Sequence, residues 1–367
     1  MRRKKRLWTV IPAALAIFLA LSAGVFLVLG NRSFATAVPG EETGHQTMRQ
    51  IAQEKRHHSG KRFVNPFSPG RQGNMLEVLK WKLFAENEFK DSYRDERVRP
   101  VTIDWQEVKD HASVSVTFIT HSTVLIKDNE SSLLVDPVLF GLFWPIKNFT
   151  PLEFPLDSMP QPDLVLITHG HYDHLDTRSL SLFTGDATFI SPLGYAGIFR
   201  DMGARSFREL DWYDTYYHEG RKITLLPANH WTMRNPITGP NTKLWGSYLI
   251  KTSSGPTIFI SGDTAYFDRF EEIGREFDID LAIFSLGAYE PRWFMKKSHI
   301  DPEDTVKAFQ ELKAKKLMIV HWGTFRLGDE PVHLPPIAIR QEMEKAGLLD
   351  RLVEIRHGET LYFDEMD

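Results

Sequence analysis

The chain has 367 residues, 42% hydrophobic and 25% charged, the balance of an ordinary globular protein long enough for one large core or two modest ones. A formal net charge of −4 offers no basic surface for nucleic acid. Cys is absent, which excludes disulfide frameworks and thiolate metal sites and leaves His and carboxylate as the only metal ligands.

Residues 1–6 read Met-Arg-Arg-Lys-Lys-Arg, and Leu7 to Gly30 then runs without a charge. About 20 apolar residues suffice to span a bilayer as a helix, and the basic cluster ahead of them favours a cytoplasmic N-terminus. Two readings stand: an uncleaved membrane anchor, or a signal segment cut near Ala35-Thr36-Ala37. Both put the body of the protein on the non-cytoplasmic side, periplasmic or extracellular, either anchored or secreted. Residues 31–60 are polar and lack hydrophobic periodicity, so they are expected to form a linker in which His45, His57 and His58 are solvated. A single folded domain is expected over residues 61–367. Within it, Leu76, Leu79, Leu83 and Phe84 recur at near-helical spacing between Met75 and Phe89, which predicts a helix packed on the main body.

From Ser113 the pattern becomes strand-like. Val114–Ile119 alternates, and Thr123–Ile126 and Ser132–Val135 read as an antiparallel hairpin around the Lys127–Ser131 turn. The second of these ends at Asp136-Pro137, because Pro cannot continue a central ladder. Further strands are expected at Pro162–Ile167, Ala187–Ile190, Lys222–Leu226, Ser247–Ile250, Thr257–Ile260, Leu281–Phe284 and Lys316–Ile319. Helices are expected near Arg178–Phe183, Phe267–Glu276, Asp301–Leu312 and Ala338–Ala346. Mixed strands and helices without an internal repeat indicate an α/β fold of sheets covered by helices. His121, Asp136, His169, His230, Asp263, Ser285 and His321 all fall at strand ends, where one rim of packed sheets would gather them.

The densest chemistry is His169-Gly170-His171-Tyr172-Asp173-His174, directly after an apolar run. His169 and His171 alternate, so an extended turn aims both at one point, and Asp173 and His174 reach a second point nearby. Imidazole and carboxylate suit Zn²⁺ and related ions, and the spacing points to a dinuclear site.

With His230 in Pro227–Trp231, Asp263 in Ser261-Gly262-Asp263-Thr264 and His321 in His321-Trp322-Gly323, the chain resembles the metallo-β-lactamase superfamily. Trp245-Gly246-Ser247, Leu286–Met295, His299–Glu303 and His321–Phe325 narrow the resemblance to its N-acyl-phosphatidylethanolamine-hydrolysing phospholipase D family, over about residues 61–361. The N-terminal apolar segment departs from the mammalian members of that family.

The resemblance implies an αββα sandwich with a di-metal centre at one edge. It puts His169, His171 and His230 on one metal and Asp173, His174 and His321 on the other, with Asp263 bridging. Zinc is the expected pair, with another divalent metal admissible at one position. In such a centre the metals share a hydroxide available at neutral pH, and Asp173 orients it or receives its proton. Asp136 is expected to hold a ligand imidazole from outside. His299 is the candidate for protonating the leaving alkoxide or holding a phosphate oxygen. His121 is a candidate for contacting substrate or a neighbouring ligand loop, with a structural role as the alternative. Tyr289 and Arg292 are substrate-binding candidates for phosphate, with Arg292 paired with Glu290 in the fold as its alternative. His218, His333 and His357 read as surface or packing residues. Phe140, Leu142, Phe143, Trp144 and Ile146 form an apolar loop that suits a lipid-facing entrance, and Trp293, Phe294 and Met295 suit an acyl channel.

The implied activity is a phospholipase D-type phosphodiesterase that takes a phospholipid substrate to an N-acylethanolamine and phosphatidic acid. The alternative is a lactonase or other carboxylic-ester hydrolase, and outside catalysis a membrane-tethered binding protein. Related enzymes form dimers with a shared channel, so a homodimer is open to this chain, although no stretch declares an interface.

Overall fold

Val116 and Phe118, Val124 and Ile126, Leu133 and Val135, and Leu164 and Leu166 all join one apolar core. Leu125, Leu134 and Val165, which lie between them, join another. Strands alternate sides with a period of two, so these segments are buried on both faces. The computed structural model describes residues 46–68, 75–235 and 237–366. The apolar segment Leu7–Gly30 and His45 lie outside the described residues, and among those described no helix is long and apolar enough to cross a membrane.

Two compact units divide the chain. The first comprises Met1–Thr36 and Gly70–Glu86. Its described part is the helix Met75–Phe84, in which Leu83 and Phe84 are exposed. The second, Ala37–Pro69 with Asn87–Asp367, carries two seven-stranded sheets and a two-stranded one in which His58–Ser59 pairs with Arg62–Phe63. In chain order the first sheet holds β1 (Ser115–Thr120), β2 (Thr123–Asp128), β3 (Ser131–Val135), β4 (Leu164–Leu166), β5 (Thr188–Pro192) and β6 (Ser206–Leu210). The second sheet holds β7 (Thr215–His218), β8 (Arg221–Leu226), β9 (Ser247–Lys251), β10 (Thr257–Ile260), β11 (Leu281–Ser285), β12 (Lys316–Val320) and β13 (Leu352–Val353). The last strand, β14 (Thr360–Tyr362), returns to the first sheet beside β1.

The spatial orders are β14-β1-β2-β3-β4-β5-β6 and β13-β12-β11-β10-β9-β8-β7. Each sheet has an antiparallel part and a parallel part, the latter running β3 to β6 and β10 to β13. Residues of both sheets share the larger core. Trp105, Val108, Leu180 and Phe199, from helices, pack on the outer side of the first sheet. Phe270, Ile273, Phe309, Leu312, Ile339 and Met343 of three further helices join the larger core. This is the α/β, αββα architecture that the resemblance implied.

The 31–60 linker needs correction. Its C-terminal part folds: Met48–Gln53 is a helix with Thr47 and Gln50 in a reciprocal capping box, and Met48, Ile51 and Ala52 are buried. Six residues are too few for periodicity to stand out. His57, expected in solvent, is fully buried, and His58 lies beside it. His57 Nε2 stands 2.6 Å from Asp211 Oδ1, and His58 Nε2 and Lys55 Nζ lie 2.9 and 2.7 Å from Asp211 Oδ2.

Candidate metal centre

The groups come from strand ends. His121 follows β1, Asp136 follows β3, Thr168–His174 follow β4, His230 follows β8, Asp263 follows β10 and His321 follows β12. His121, Asp136 and His321 adopt φ of +47°, +43° and +70°, a region that non-Gly residues enter at a cost and that clusters at functional sites. Two glycines let the loops close up. A Cβ on Gly262 would stand 2.8 Å from Thr168 Cβ, and one on Gly287 would stand 2.1 Å from the His321 carbonyl oxygen.

Two clusters result. In the first, His169, His171, His230 and Asp263 each bring a ligand atom within 4.8 Å of the others; in the second, His121, Asp173, His174 and His321 do so. His169 Nε2 is 2.9 Å and His230 Nε2 3.3 Å from His171 Nδ1, and both Nε2 atoms stand 3.8 Å from Asp263 Oδ2. The other oxygen, Asp263 Oδ1, is 3.2 Å from His174 Nε2 and 3.3 Å from His321 Nε2. Asp173 Oδ2 is 3.3 Å from His321 Nε2 and 3.7 Å from His174 Nε2. Asp263 therefore turns one oxygen to each cluster.

The hydrogen bonds around the clusters decide which nitrogens are bare. The Thr168 hydroxyl gives its one proton to Asp136 Oδ2 at 2.6 Å, so it accepts from His169 Nδ1 at 3.0 Å. His174 Nδ1 donates to Asp136 Oδ2 at 2.8 Å, and His230 Nδ1 donates to the Ser298 carbonyl at 2.9 Å. In all three rings the Nε2 lone pair is thereby turned inward. His174 Nε2 and Asp263 Oδ1 are buried without a hydrogen-bond partner. A tetrahedral ion with bonds of about 2.0–2.2 Å has donor–donor edges of about 3.3–3.6 Å. The observed spacings scatter around that edge, so the residues fit a pair of small divalent cations.

Electrostatics agree. Burial holds His169 and His230 well below the usual imidazole range, so both are neutral. Burial opposes charge on Asp263 and Asp173 too, but the neighbouring imidazoles, His174 first among them, outweigh it and keep both carboxyls well below their usual range. Burial likewise opposes a charge on His174, yet Asp263 and Asp173 raise it well above its usual value. Two carboxylates, Asp263 buried and Asp173 with its side chain 14% exposed, thus draw positive charge to the place where a cation would supply it.

The other expected residues divide. Asp136 stands behind His174, its Oδ2 2.8 Å from His174 Nδ1. His299 is at the rim, 14% exposed in its side chain, with Nδ1 3.8 Å from Asp263 Oδ2, and burial lowers it to about 4. His121 is not presented to solvent as a substrate contact would be: it is fully buried, its Nε2 3.1 Å from Asp173 Oδ2. Tyr289 is buried with a hydroxyl that has no hydrogen-bond partner among the described residues, and its backbone N–H is held by Glu330. The Arg292 guanidinium, expected on phosphate, is committed elsewhere. It pairs with Asp301 at 2.9 Å and Asp304 at 3.4 Å and donates to the carbonyls of His299 and Tyr289. The Glu290 carboxylate accepts the Arg292 backbone N–H at 2.9 Å. Of the histidines expected at the surface or in packing, His218 and His333 are half-buried and His357 is fully buried on Phe118 and Trp322. Thr168 and the Ser298 carbonyl were not anticipated; the position of Thr168 directly before His169 was the one available signal.

Residues 131–322 match the family described as "Beta-lactamase superfamily domain". The N-acyl-phosphatidylethanolamine-hydrolyzing phospholipase D 1 of Caenorhabditis elegans is 30% identical over 304 residues, 76% of this chain and 85% of that protein. The mitochondrial N-acyl-phosphatidylethanolamine-hydrolyzing phospholipase D of Saccharomyces cerevisiae is 33% identical over 227 residues, 59% of this chain and 48% of that protein. Among solved structures, a metallo hydrolase from the archaeon Ignicoccus hospitalis shares the fold at TM-score 0.54 and 21% identity, covering 68% of this chain and 98% of its own. An isothiocyanate hydrolase from Delia radicum gut bacteria does so at TM-score 0.56 and 19% identity, with the same coverage of 68% and 98%.

Proposed function

Since this chain belongs to the metallo-β-lactamase superfamily and, within it, to the N-acyl-phosphatidylethanolamine-hydrolysing phospholipase D-like family, and is a metal-dependent hydrolase, we propose that it hydrolyses the distal phosphodiester of an N-acylated phosphatidylethanolamine or a closely related lipid. Water oxygen bonds to phosphorus, the bond from phosphorus to the ethanolamine oxygen breaks, and a proton ends on the departing alkoxide. The products are an N-acylethanolamine and phosphatidic acid. The observation that carries the reading is Asp263, with one oxygen toward each four-residue cluster.

His169, His171, His230 and Asp263 Oδ2 would hold one divalent cation, and Asp173, His174, His321 and Asp263 Oδ1 the other; zinc is our choice for both, on the imidazole-rich set. A bound pair supplies a lowered water pKa and charge stabilisation at phosphoryl oxygens. Asp173 orients the attacking water and takes its proton. His299, at the rim, faces the substrate and either holds a phosphate oxygen or delivers the proton to the leaving oxygen.

Lipid access is assigned to the loop after β3. Phe140, Phe143 and Trp144 are exposed at 38%, 60% and 92%, and Phe143 stacks edge-on at 5.8 Å against Tyr172, which lies between His171 and Asp173. An exposed aromatic patch beside the reactive groups suits the headgroup zone of a bilayer.

The test is a side-by-side assay of the zinc-loaded protein on N-acyl phosphatidylethanolamine and on lactones. Release of N-acylethanolamine is the expected result; turnover of lactones alone would move the assignment to carboxylic-ester hydrolysis.

A further inference from the structure

His121 has a position that the ligand pattern does not explain. It is the first residue of the two-residue turn joining β1 to β2, where Thr120 pairs with Thr123. Its φ of +47° is one for which Gly is the usual choice in such turns. A β-carbon there is unfavourable, so the backbone gives no reason for His, and the reason has to lie in the ring.

The ring is fully buried among His321, Phe325 and His174, at centroid distances of 4.1, 4.9 and 5.8 Å. Nδ1 has no hydrogen-bond partner, and Nε2 meets Asp173 Oδ2 at 3.1 Å. Asp173 is the ring's one polar engagement among the described residues. The backbone of the same residue holds the neighbouring chain. Its N–H donates to Thr324 Oγ1 at 2.9 Å, and its carbonyl accepts the His321 N–H at 2.8 Å. His121 therefore joins a loop of the first sheet, carrying Asp173, to a loop of the second, carrying His321.

Asp173, His174, His321 and Asp263 Oδ1 already provide the donors that a tetrahedral ion needs. We propose that His121 is a positioning residue for the second cation: it donates Nε2–H to Asp173 Oδ2 and fixes that carboxylate in the orientation in which it serves as a ligand. The proposal rests on the reading of the two clusters as a cation pair. Carboxylate ligands commonly depend on such outer hydrogen bonds, whose loss typically weakens metal binding about 10–100-fold.

The experiment is a Zn²⁺ or Co²⁺ titration of metal-free protein against a chelating indicator, with the Co²⁺ absorption spectrum recorded at each equivalent. Wild type is compared with His121→Ala and His121→Gln, since the Gln amide N–H₂ ends near the place of the imidazole Nε2. Neither substitution removes the backbone bonds to Thr324 and His321. In His121→Ala the second equivalent is expected to weaken about 10–100-fold while the first is unchanged, and His121→Gln is expected to recover most of the loss. A second equivalent as tight as in wild type in His121→Ala would overturn the proposal. Equal weakening of both equivalents, or a Gln variant as impaired as Ala, would overturn it too. Wild-type protein that takes up fewer than two equivalents would contradict the cation-pair reading itself, and the role of His121 with it.

Discussion

Asp136 accepts the Nδ1–H of His174 at 2.8 Å through the same oxygen that receives the Thr168 hydroxyl, while its other oxygen takes the Thr168 backbone N–H at 2.8 Å. One buried carboxylate thus sets the tautomers of His174 directly and of His169 through Thr168. Asp136→Asn keeps the shape but replaces an acceptor by a donor on one side. Metal affinity is expected to fall about 10–100-fold, with both equivalents affected, because each of the two rings belongs to a different cluster. Titration of the metal-free variant checks this. Binding as tight as wild type would show that the tautomers are set by other means.

The proposed role of the aromatic loop assigns it lipid docking and leaves the chemistry to the metal clusters. Phe143→Ser with Trp144→Ser removes two exposed rings and no group of the metal clusters. Sedimentation with phosphatidylcholine vesicles should drop several-fold, and so should hydrolysis of vesicle-borne substrate. Hydrolysis of a short-chain monomeric substrate should stay near wild type. Equal losses on both substrates would place the loop in the reaction instead.

Asp211 and His57 give the pH dependence of stability. Burial opposes the charge on Asp211, yet the hydrogen bonds from His57 and Lys55 outweigh it and hold the carboxyl below its usual range. Its contribution is therefore complete above the unfolded value near 3.9 and is lost as pH falls toward the folded one. Burial lowers His57, so below its unfolded value near 6.5 the unfolded chain binds more protons and stability declines there as well. Urea unfolding of metal-free protein should show stability falling from pH 7 to pH 5 and further toward pH 3. Asp211→Asn should cost about 2–3 kcal/mol at pH 7, the scale of charge-assisted hydrogen bonds. A cost near zero would mean that the His57 cluster does not hold the segment after the Met48–Gln53 helix.

Arg292 should behave as a brace. Its guanidinium ties Asp301 and Asp304, at the start of the Pro302–Leu312 helix, to the carbonyl of His299. Arg292→Met is expected to lower the melting temperature by several degrees and to reduce kcat through His299, with KM for a short-chain substrate little changed. A rise in KM alone would return Arg292 to phosphate binding.

The centre was more legible in the sequence than its surroundings. His169, His171, Asp173 and His174 are local and of unmistakable chemistry, and His230, Asp263 and His321 each follow a clear apolar strand. In the two seven-stranded sheets, the four strands that the sequence does not announce, β6, β7, β13 and β14, are the edges. Edges need not be apolar on both sides: Arg208 and Tyr217 are exposed, and β13 and β14 are too short to show a pattern. His57 reads as a linker residue in the sequence because Asp211, its partner, lies 154 positions away. Nothing local marks such a pair. His121 was noticed for its place at a strand end, but only the fold shows that its ring turns inward to Asp173.

The most direct test of the central claim is hydrolysis of N-acyl phosphatidylethanolamine by the metal-loaded protein in ¹⁸O-labelled water, read by mass spectrometry of every product. One ¹⁸O is expected in the phosphate of phosphatidic acid and none in the N-acylethanolamine, because water attacks phosphorus. Label in a released fatty acid, the mark of attack at a carbonyl, would contradict it.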